Sequence, residues 1–134
     1  MTDRELLDLA IRARENAYAP YSGFAVGAAL LAKNGQVYLG CNIENASFTP
    51  TVCAERTAFF QALTEGVRGF TAIAVVGGPQ GGALNPVTPP CGVCRQVMTE
   101  FCEPSFRIVL GDDTHVCAYT LDDLMPLSFT KNDL

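Results

Sequence analysis

Three cysteines have the spacing of a catalytic zinc site. The sequence contains Cys53-Ala54-Glu55 and, further along the chain, Pro90-Cys91-Gly92-Val93-Cys94. Cys91 and Cys94 are three positions apart, and residues at that spacing share one face of a helix. Cys53 would supply a third sulfur. Three protein ligands leave one coordination position open for water, which is typical of catalytic rather than structural zinc.

Glu55 follows Cys53 by two residues, so both lie within one predicted helical turn. A carboxylate there can reach a water on the metal without binding the metal itself. Zinc lowers the pKa of a bound water toward about 7, and a neighbouring carboxylate can take that proton and deliver it to a substrate. Three sulfurs, a nearby glutamate and Pro-Cys-x-x-Cys together are typical of zinc-dependent nucleobase deaminases.

Both cysteine motifs lie where helices are predicted to begin. We predict helices over about 53–65 and 91–101, with Gly66 ending the first of them. The first turn of a helix carries unpaired N–H groups and the positive end of the helix dipole. Both lower the pKa of a thiol, and the thiolate is the form that binds zinc.

The remaining segments predict an α/β domain spanning residues 1–134. Thr2-Asp3-Arg4-Glu5 has the spacing of a capping box and would open a helix that ends near Ala17. Asn34-Gly35 predicts a type I′ hairpin turn. The predicted strands are 24–33, 36–43, 70–76, 106–110 and 116–120, with loops at 44–52 and 77–90 and a short helix at 121–125. This alternation of helices and strands predicts a three-layer α/β/α fold around a mixed five-stranded sheet.

The composition favours a small uncharged substrate. The net charge is -5 and the nine Lys and Arg residues are scattered, whereas nucleic-acid binding requires a basic surface. No apolar run approaches the ~20 residues of a membrane helix, and the charged N-terminal segment is unlike a secretory signal. We therefore expect a cytoplasmic protein that binds neither nucleic acid nor membrane. The six cysteines would then serve metal binding or catalysis rather than disulfides.

The chain resembles the small homotetrameric cytidine deaminases over residues 17 to 96. The matching stretches are Ala17-Tyr18-Ala19-Pro20-Tyr21-Ser22, Phe24-Ala25-Val26-Gly27-Ala28-Ala29-Leu30, Asn42-Ile43-Glu44-Asn45-Ala46, Cys53-Ala54-Glu55-Arg56-Thr57-Ala58 and Pro90-Cys91-Gly92-Val93-Cys94-Arg95-Gln96. The resemblance implies hydrolytic deamination of cytidine and 2′-deoxycytidine to uridine and 2′-deoxyuridine. It also implies a homotetramer with shared active sites.

The resemblance assigns metal and catalytic roles to five residues. Cys53, Cys91 and Cys94 would hold one zinc ion per chain. Glu55 would transfer protons while water attacks C4 of cytosine and ammonia leaves. Arg56 would donate hydrogen bonds to the ligand sulfurs.

Substrate contacts also follow from the resemblance. Asn42 and Glu44 would hold the ribose 3′-hydroxyl, and Phe24 would pack on the pyrimidine. The backbone N–H of Ala54 and the carbonyl of Pro89 would contact the base. The family usually has Ser or Thr where this chain has Pro89, but proline keeps the carbonyl that is used.

One further departure concerns Phe48, where the family usually has Tyr. The hydroxyl that reaches the ribose 5′ end from a neighbouring subunit is therefore missing.

Other interpretations of these residues stay open from the sequence. Cys-x-x-Cys alone would fit a redox pair, which leaves Cys53 and Glu55 without a role. A structural zinc would take a fourth ligand from the remaining candidates, which are Cys41, Cys102, Cys117 and His115. Phe24 fits the hydrophobic core equally well, and Glu44 fits an exposed loop.

Two rival functions also remain. One is a deaminase of another small cytosine nucleoside, such as a nucleoside antibiotic. The other is a non-catalytic binding module held together by zinc.

Overall fold

The computed structural model describes residues 1–134 and contains five strands and four α-helices. The strands are β1 (Phe24–Ala32), β2 (Val37–Cys41), β3 (Phe70–Pro79), β4 (Arg107–Gly111) and β5 (Val116–Thr120). The helices are α1 (Asp3–Arg14), α2 (Ala54–Thr64), α3 (Gly92–Phe101) and α4 (Leu121–Leu124), followed by a 3-10 turn at Lys131–Asp133. No helix is long and apolar enough to span a bilayer.

The strands form one mixed sheet in the order β2-β1-β3-β4-β5. Only β3 and β4 run parallel, while the other neighbouring pairs are antiparallel. Side chains alternate between the two faces of a strand, so each face has its own core. One core joins α1 to the sheet through Leu6, Leu7, Ala10, Ala29, Ala72, Ala74, Val76 and Val109. The other joins α2 and α3 to the opposite face and includes Phe59, Met98, Leu30, Ile73 and Val75. The predicted three-layer α/β/α fold is confirmed.

Two glycines let helices pack directly on the strands. A Cβ atom on Gly27 would lie 2.0 Å from the carbonyl oxygen of Ala10 in α1. A Cβ atom on Gly40 would lie 2.2 Å from the carbonyl oxygen of Ala54, the first residue of α2. The contact at Gly40 therefore fixes the start of α2, which carries Cys53 and Glu55, against the sheet.

We expect Gly40→Ala to destabilise the protein because the added methyl group meets the backbone of α2. Overpacking of this kind typically costs about 1–3 kcal/mol. Urea unfolding should show a loss in that range. The matched control is Gly92→Ala, since a Cβ atom on Gly92 has no neighbour within 4 Å. Equal stability of the two variants would contradict the close packing at Gly40.

The type I′ turn predicted at Asn34-Gly35 is wrong, although the hairpin itself is present. Gly35 has a φ of +89°, while Asn34 has an ordinary negative φ. The N–H of Gly35 donates to the carbonyl of Ala32 at 3.0 Å, and the N–H of Ala32 donates to the carbonyl of Gln36 at 2.9 Å. This pattern is a three-residue loop in which Gly35 occupies the left-handed position. The side chain of Asn34 instead accepts the N–H of Gln36 at 2.8 Å.

Several predicted element ends also shift. Helix α1 ends at Arg14 rather than near Ala17, because the N–H groups of Asn16 and Ala17 donate to carbonyls three residues back instead of four, and the N–H of Tyr18 donates to the carbonyl of Asn42 at 2.9 Å. Strand β3 continues to Pro79, beyond the predicted end at 76. Glycine made a loop plausible there, but Gly77 and Gly78 pair with β1. Gly66, with a φ of +89°, follows α2 as predicted.

Candidate metal centre and substrate cavity

The three predicted sulfur ligands meet at the starts of α2 and α3. Cys53 and Cys91 are the N-cap residues of these helices, and Cys94 lies in the first turn of α3. Their sulfur atoms all lie within 4.8 Å of one another, and those of Cys53 and Cys91 are 3.7 Å apart. Tetrahedral zinc with bonds of about 2.3 Å places its sulfurs about 3.8 Å apart. The donor set therefore fits one zinc ion.

No fourth protein ligand belongs to this group of sulfurs. The candidates for a structural zinc were Cys41, Cys102, Cys117 and His115, and none of them is part of the cluster. The cluster is also the only group of three or more potential metal ligands in the chain. Three thiols with an open fourth position match a catalytic site better than a structural one.

Hydrogen bonds and charge at the start of α2 favour a thiolate at Cys53. Neither Cys53 nor Cys91 uses its side chain to cap its helix, so both sulfurs are available for other bonds. A hydrogen bond from the Cys94 thiol lowers the pKa of Cys53 to about 5, with Arg56 adding to the effect and burial opposing it. The same hydrogen bond raises the pKa of Cys94. Cys53 thus ionises more readily than Cys94.

Arg56 faces the sulfurs, as the resemblance implied. Its Nη2 atom lies 3.4 Å from Sγ of Cys53 and donates a hydrogen bond to it. The hydrogen bond to Cys53 raises the pKa of the guanidinium, so the group stays charged. Its Nε atom is buried and has no hydrogen-bond partner. The positive charge of Arg56 is therefore directed at the ligand sulfurs rather than at a carboxylate.

Glu55 is the buried acid of the site. It is the second residue of α2, and only 4% of its surface is exposed. Burial raises the pKa of its carboxyl to about 7, and the charge of Cys53 adds to that effect. A cation bound at the sulfurs would favour the carboxylate form. A group that changes charge near neutral pH can both accept and donate a proton.

A cavity of about 340 Å³ opens beside the sulfurs. It is lined by Ser22, Phe24, Val26, Asn42, Glu44, Thr51, Val52, Cys53, Ala54, Glu55, Val75, Thr88, Pro89 and Cys91. All five predicted substrate contacts lie in this wall, together with Glu55. Cys94 and Arg56 are not in the wall. A second cavity, of about 270 Å³, lies beyond the C-terminal end of α3 and contains none of the predicted site residues.

Six residues of this wall were not predicted from the sequence to contact a ligand, and they are Ser22, Val26, Thr51, Val52, Val75 and Thr88. Val26 and Val75 belong to predicted strands, and their apolar side chains indicated only that they pack on one face of the sheet. Thr88 precedes Pro89, and Ser22 ends the first stretch that resembles the family. Neither position carried a motif of its own that indicated a contact.

Asn42 holds the cavity wall together. Its Oδ1 atom accepts the N–H of Val26 at 2.9 Å, and its Nδ2 atom donates to the carbonyl of Phe24 at 2.8 Å. The amide thus continues the backbone pairing of β1 beyond the end of β2. An asparagine side chain has two donors and two acceptor sites, so one of each is left for a ligand.

Glu44 presents a charged and well-held carboxylate. Its Oε1 atom accepts the N–H groups of Tyr21 and Ser22, each at 3.0 Å. Its Oε2 atom accepts the hydroxyl of Ser22. The hydrogen bonds from Ser22 lower the pKa of Glu44, so the group is ionised at neutral pH. Its place in the wall favours a binding role over that of an ordinary exposed loop carboxylate.

Phe24 lines the cavity and is not part of either buried core. Its ring is half-buried. A Cβ atom on Gly77 would lie 3.0 Å from the ring, so the absence of a side chain at that position leaves space for it. Of the two interpretations of Phe24, contact with a ligand fits its position better than core packing.

Two backbone groups near the sulfurs lack partners. Ala54 is fully buried and is the first residue of α2, so its N–H has no acceptor within the helix. The carbonyl of Pro89 accepts no hydrogen bond within the chain. The next residue is fixed, because Nε of Arg95 donates to the carbonyl of Pro90 at 2.8 Å. Ala54 and Pro89 thus offer one donor and one acceptor to a planar base.

Comparison with known proteins connects this site to one family. The model of the cytidine and deoxycytidylate deaminase zinc-binding region matches residues 1–110. A cytidine deaminase from Sporosarcina psychrophila is 52% identical over 127 residues, which are 92% of this chain and 88% of that protein. A cytidine deaminase from Halalkalibacterium halodurans is 51% identical over 134 residues and 98% of both chains.

A solved structure shows the same fold. The crystal structure of cytidine deaminase from Burkholderia pseudomallei superimposes with a TM-score of 0.88 at 48% sequence identity. The alignment covers 96% of this chain and 100% of that chain. The sheet and helices described above are therefore those of a known zinc-dependent enzyme family.

Proposed function

Because the chain belongs to the cytidine and deoxycytidylate deaminase family, we propose that it hydrolyses cytidine and 2′-deoxycytidine to uridine and 2′-deoxyuridine, with release of ammonia. The observation that carries this proposal is a single cavity lined by Glu55, two of the three ligand cysteines and the polar groups Asn42 and Glu44. One end of a nucleoside is a reactive amidine and the other is a hydroxylated sugar, and the wall contains groups suited to both.

The chemistry needs an activated water and a proton carrier. Zinc held by Cys53, Cys91 and Cys94 would supply the Lewis acidity that makes water a nucleophile near neutral pH. Glu55 would accept the proton that water loses as its oxygen bonds to C4 of the base. The same carboxyl would pass that proton to N3 of the ring, and it would then move the second proton of the attacking water to the amino group, which leaves as ammonia while the C4 carbonyl forms. Cytidine and water thus give uridine and ammonia, with no redox change.

The base and sugar would each be held by groups already in place. The Ala54 N–H and the Pro89 carbonyl would bind the polar edge of the pyrimidine, and the ring of Phe24 would pack against its face. Asn42 and Glu44 would bind the ribose 3′-hydroxyl. Each of these groups lies in the cavity wall, and all four polar groups, two on side chains and two on the backbone, keep unused hydrogen-bonding capacity.

The charge of the cavity favours a free nucleoside over a nucleotide. Its only acidic or basic side chains, apart from cysteine, are Glu44 and Glu55, and no Lys or Arg lines it. A phosphate group is normally bound by cations or by unpaired backbone N–H groups. Two carboxylates would instead repel it. We infer that nucleotides and nucleic acids are not substrates.

The test of the proposed function is a substrate panel with one readout. Purified protein of known zinc content is incubated with cytidine, 2′-deoxycytidine, cytosine and cytidine 5′-monophosphate, and ammonia is measured. We expect rapid release from the two nucleosides and slow release from the other two compounds. Release from a cytosine nucleoside antibiotic tested in parallel, with none from cytidine or 2′-deoxycytidine, would favour the rival deaminase. No release from any of them at full zinc occupancy would favour a non-catalytic zinc module.

We expect Glu44→Ala to damage the turnover of cytidine far more than that of cytosine, because only cytidine has a sugar to bind. Losing a hydrogen bond to a charged group typically costs about 1.5–3 kcal/mol, so kcat/KM for cytidine should fall about 10- to 100-fold. Steady-state kinetics on both substrates measure this ratio. Asn42→Ala should give the same preference together with lower stability, since β1 loses two hydrogen bonds. Equal losses on cytidine and cytosine would place both residues outside the sugar site.

Arg56→Ala should lower kcat more than it raises KM, because its hydrogen bond withdraws electron density from Cys53. Partners of metal ligands typically contribute about 10–100-fold. The measurement is kcat on cytidine after zinc content has been determined. Arg12→Ala is the matched control, since Arg12 is an exposed residue of α1. An unchanged kcat for Arg56→Ala at full zinc occupancy would make it an ordinary helix cation.

We also propose a homotetramer with shared active sites, formed by this chain as one catalytic domain. Large apolar side chains are exposed at Phe48, Leu127 and Phe129, and exposed apolar patches mark interfaces. Light scattering should give four chains per particle, and a fully active monomer would refute this.

A cytoplasmic location is consistent with six free thiols, which persist in reducing compartments.

A further inference from the structure

The two carboxylate oxygens of Glu44 differ in their hydrogen bonding. Oε1 accepts two backbone N–H groups, from Tyr21 and Ser22. Oε2 accepts one group only, the hydroxyl of Ser22. Each oxygen of a carboxylate has about two acceptor sites. Oε1 is therefore fully used, and the remaining acceptor site of Glu44 is on Oε2.

The Ser22 hydroxyl is itself fixed in direction. Its oxygen accepts the N–H of Phe24 at 3.0 Å, while its hydrogen is donated to Oε2 of Glu44. A serine hydroxyl has one hydrogen to donate, so that hydrogen is committed to Glu44. Ser22 also lines the cavity, next to Phe24 and Glu44 in the wall. The hydroxyl thus links the carboxylate to the start of β1.

The backbone around Ser22 is held without its hydroxyl. The N–H of Tyr18 donates to the carbonyl of Asn42, and the N–H of Glu44 donates to the carbonyl of Tyr18, each at 2.9 Å. The N–H of Gly23 donates to the carbonyl of Ala19 at 3.0 Å. Removing the Ser22 hydroxyl leaves these three bonds intact, and the one backbone N–H that loses its acceptor is that of Phe24. The contribution of Ser22 to the site is therefore separable from the fold.

We propose that Ser22 is a positioning residue for the sugar of the substrate. Its hydroxyl holds Oε2 of Glu44 in the orientation in which the remaining acceptor site can take a hydrogen bond from a sugar hydroxyl. It acts through Glu44 and not on the reacting atoms, so it affects binding and leaves the chemical step alone. The inference rests on the proposed function, in which Glu44 binds the ribose 3′-hydroxyl.

The test compares Ser22→Ala with Ser22→Thr on two substrates. Hydrogen bonds to charged groups are stronger than neutral ones, so Ser22→Ala should raise KM for cytidine about tenfold with kcat within about twofold. Ser22→Thr keeps a hydroxyl and should restore the parent KM. The second substrate is 2′,3′-dideoxycytidine, which lacks the 2′- and 3′-hydroxyls. On this compound the KM of Ser22→Ala should equal that of the parent. Thermal unfolding of both variants checks the fold.

Other outcomes would overturn the proposal. An unchanged KM for cytidine, or equal rises on both substrates, would show that Ser22 does not act through the sugar. If Ser22→Ala unfolds, Ser22→Cys keeps the size but replaces a strong donor with a weak one, and it must show the same substrate preference. Glu44→Ala on the same pair of substrates separates the two ideas. If only Glu44→Ala raises KM more for cytidine than for 2′,3′-dideoxycytidine, the role of Ser22 is rejected and the sugar site stands. If neither variant shows this difference, the sugar site itself is rejected.

Discussion

The Glu55→Gln variant should fold and bind zinc like the parent, yet lose nearly all turnover of cytidine. Glutamine keeps the shape of the buried side chain but cannot accept and return a proton. A general acid–base group typically contributes about 10²–10⁴-fold, and Glu55 would serve more than one proton transfer in each cycle. We therefore expect a fall in kcat at or beyond the upper end of that range.

The measurement is kcat on cytidine, with zinc content and thermal unfolding determined for the same preparation. Glu65→Gln is the matched control, because Glu65 is the exposed C-cap residue at the other end of α2. That variant should retain parental activity. A kcat for Glu55→Gln within a few-fold of the parent would remove Glu55 from the proton transfer.

Cys91→Ala should lose most of its zinc and, with it, its activity. Zinc held by three sulfurs would be left with two protein ligands. Cys91 suits this test better than Cys94, since Cys91 is exposed and Cys94 is 1% exposed. Truncating a buried side chain would also leave a cavity in the core. Loss of zinc from Cys91→Ala is therefore easier to interpret.

Metal analysis of the purified variant, after dialysis against metal-free buffer, gives the number of zinc ions per chain. Cys102→Ala is the control, because Cys102 lies outside the sulfur cluster and burial raises the pKa of its thiol to about 12. It should keep one zinc ion per chain. A Cys91→Ala protein that keeps its full zinc content would remove Cys91 from the ligand set.

The meeting of the three cysteine sulfurs could be predicted from the sequence because its signals are local. Cys91 and Cys94 share a helix face at a fixed spacing, and Cys53 and Glu55 lie within one turn of another helix. Helix ends are marked by local chemistry too, as Gly66 shows with its positive φ. What the sequence could not supply was the distance between the two helix starts. That distance depends on the packing of α2 against Gly40.

One of the errors occurred where a distant strand decides the local structure. Gly77 and Gly78 suggested a loop, yet pairing with β1 keeps them in a strand. Asn34-Gly35 suggested a type I′ turn, yet the chain forms a three-residue loop with only Gly35 at positive φ.

The interactions around Glu44 were hidden from the sequence for a similar reason. Ser22 and Glu44 are 22 positions apart, and no motif joins them. Nothing in the sequence indicated that the Asn42 side chain also holds the start of β1 through two hydrogen bonds. Ser22 just before β1 and the first residues of β1 are thus joined to the segment after β2. These contacts become apparent only once the hairpin brings those segments together.

The most direct test of the deaminase proposal is the stoichiometry of products from cytidine. Protein carrying one zinc ion per chain is incubated with cytidine, and uridine and ammonia are quantified in the same samples, with Glu55→Gln as the blank. We predict equal amounts of uridine and ammonia from the parent and almost none from the variant. Absence of both products from the zinc-loaded parent, or equal formation by Glu55→Gln, would contradict the account.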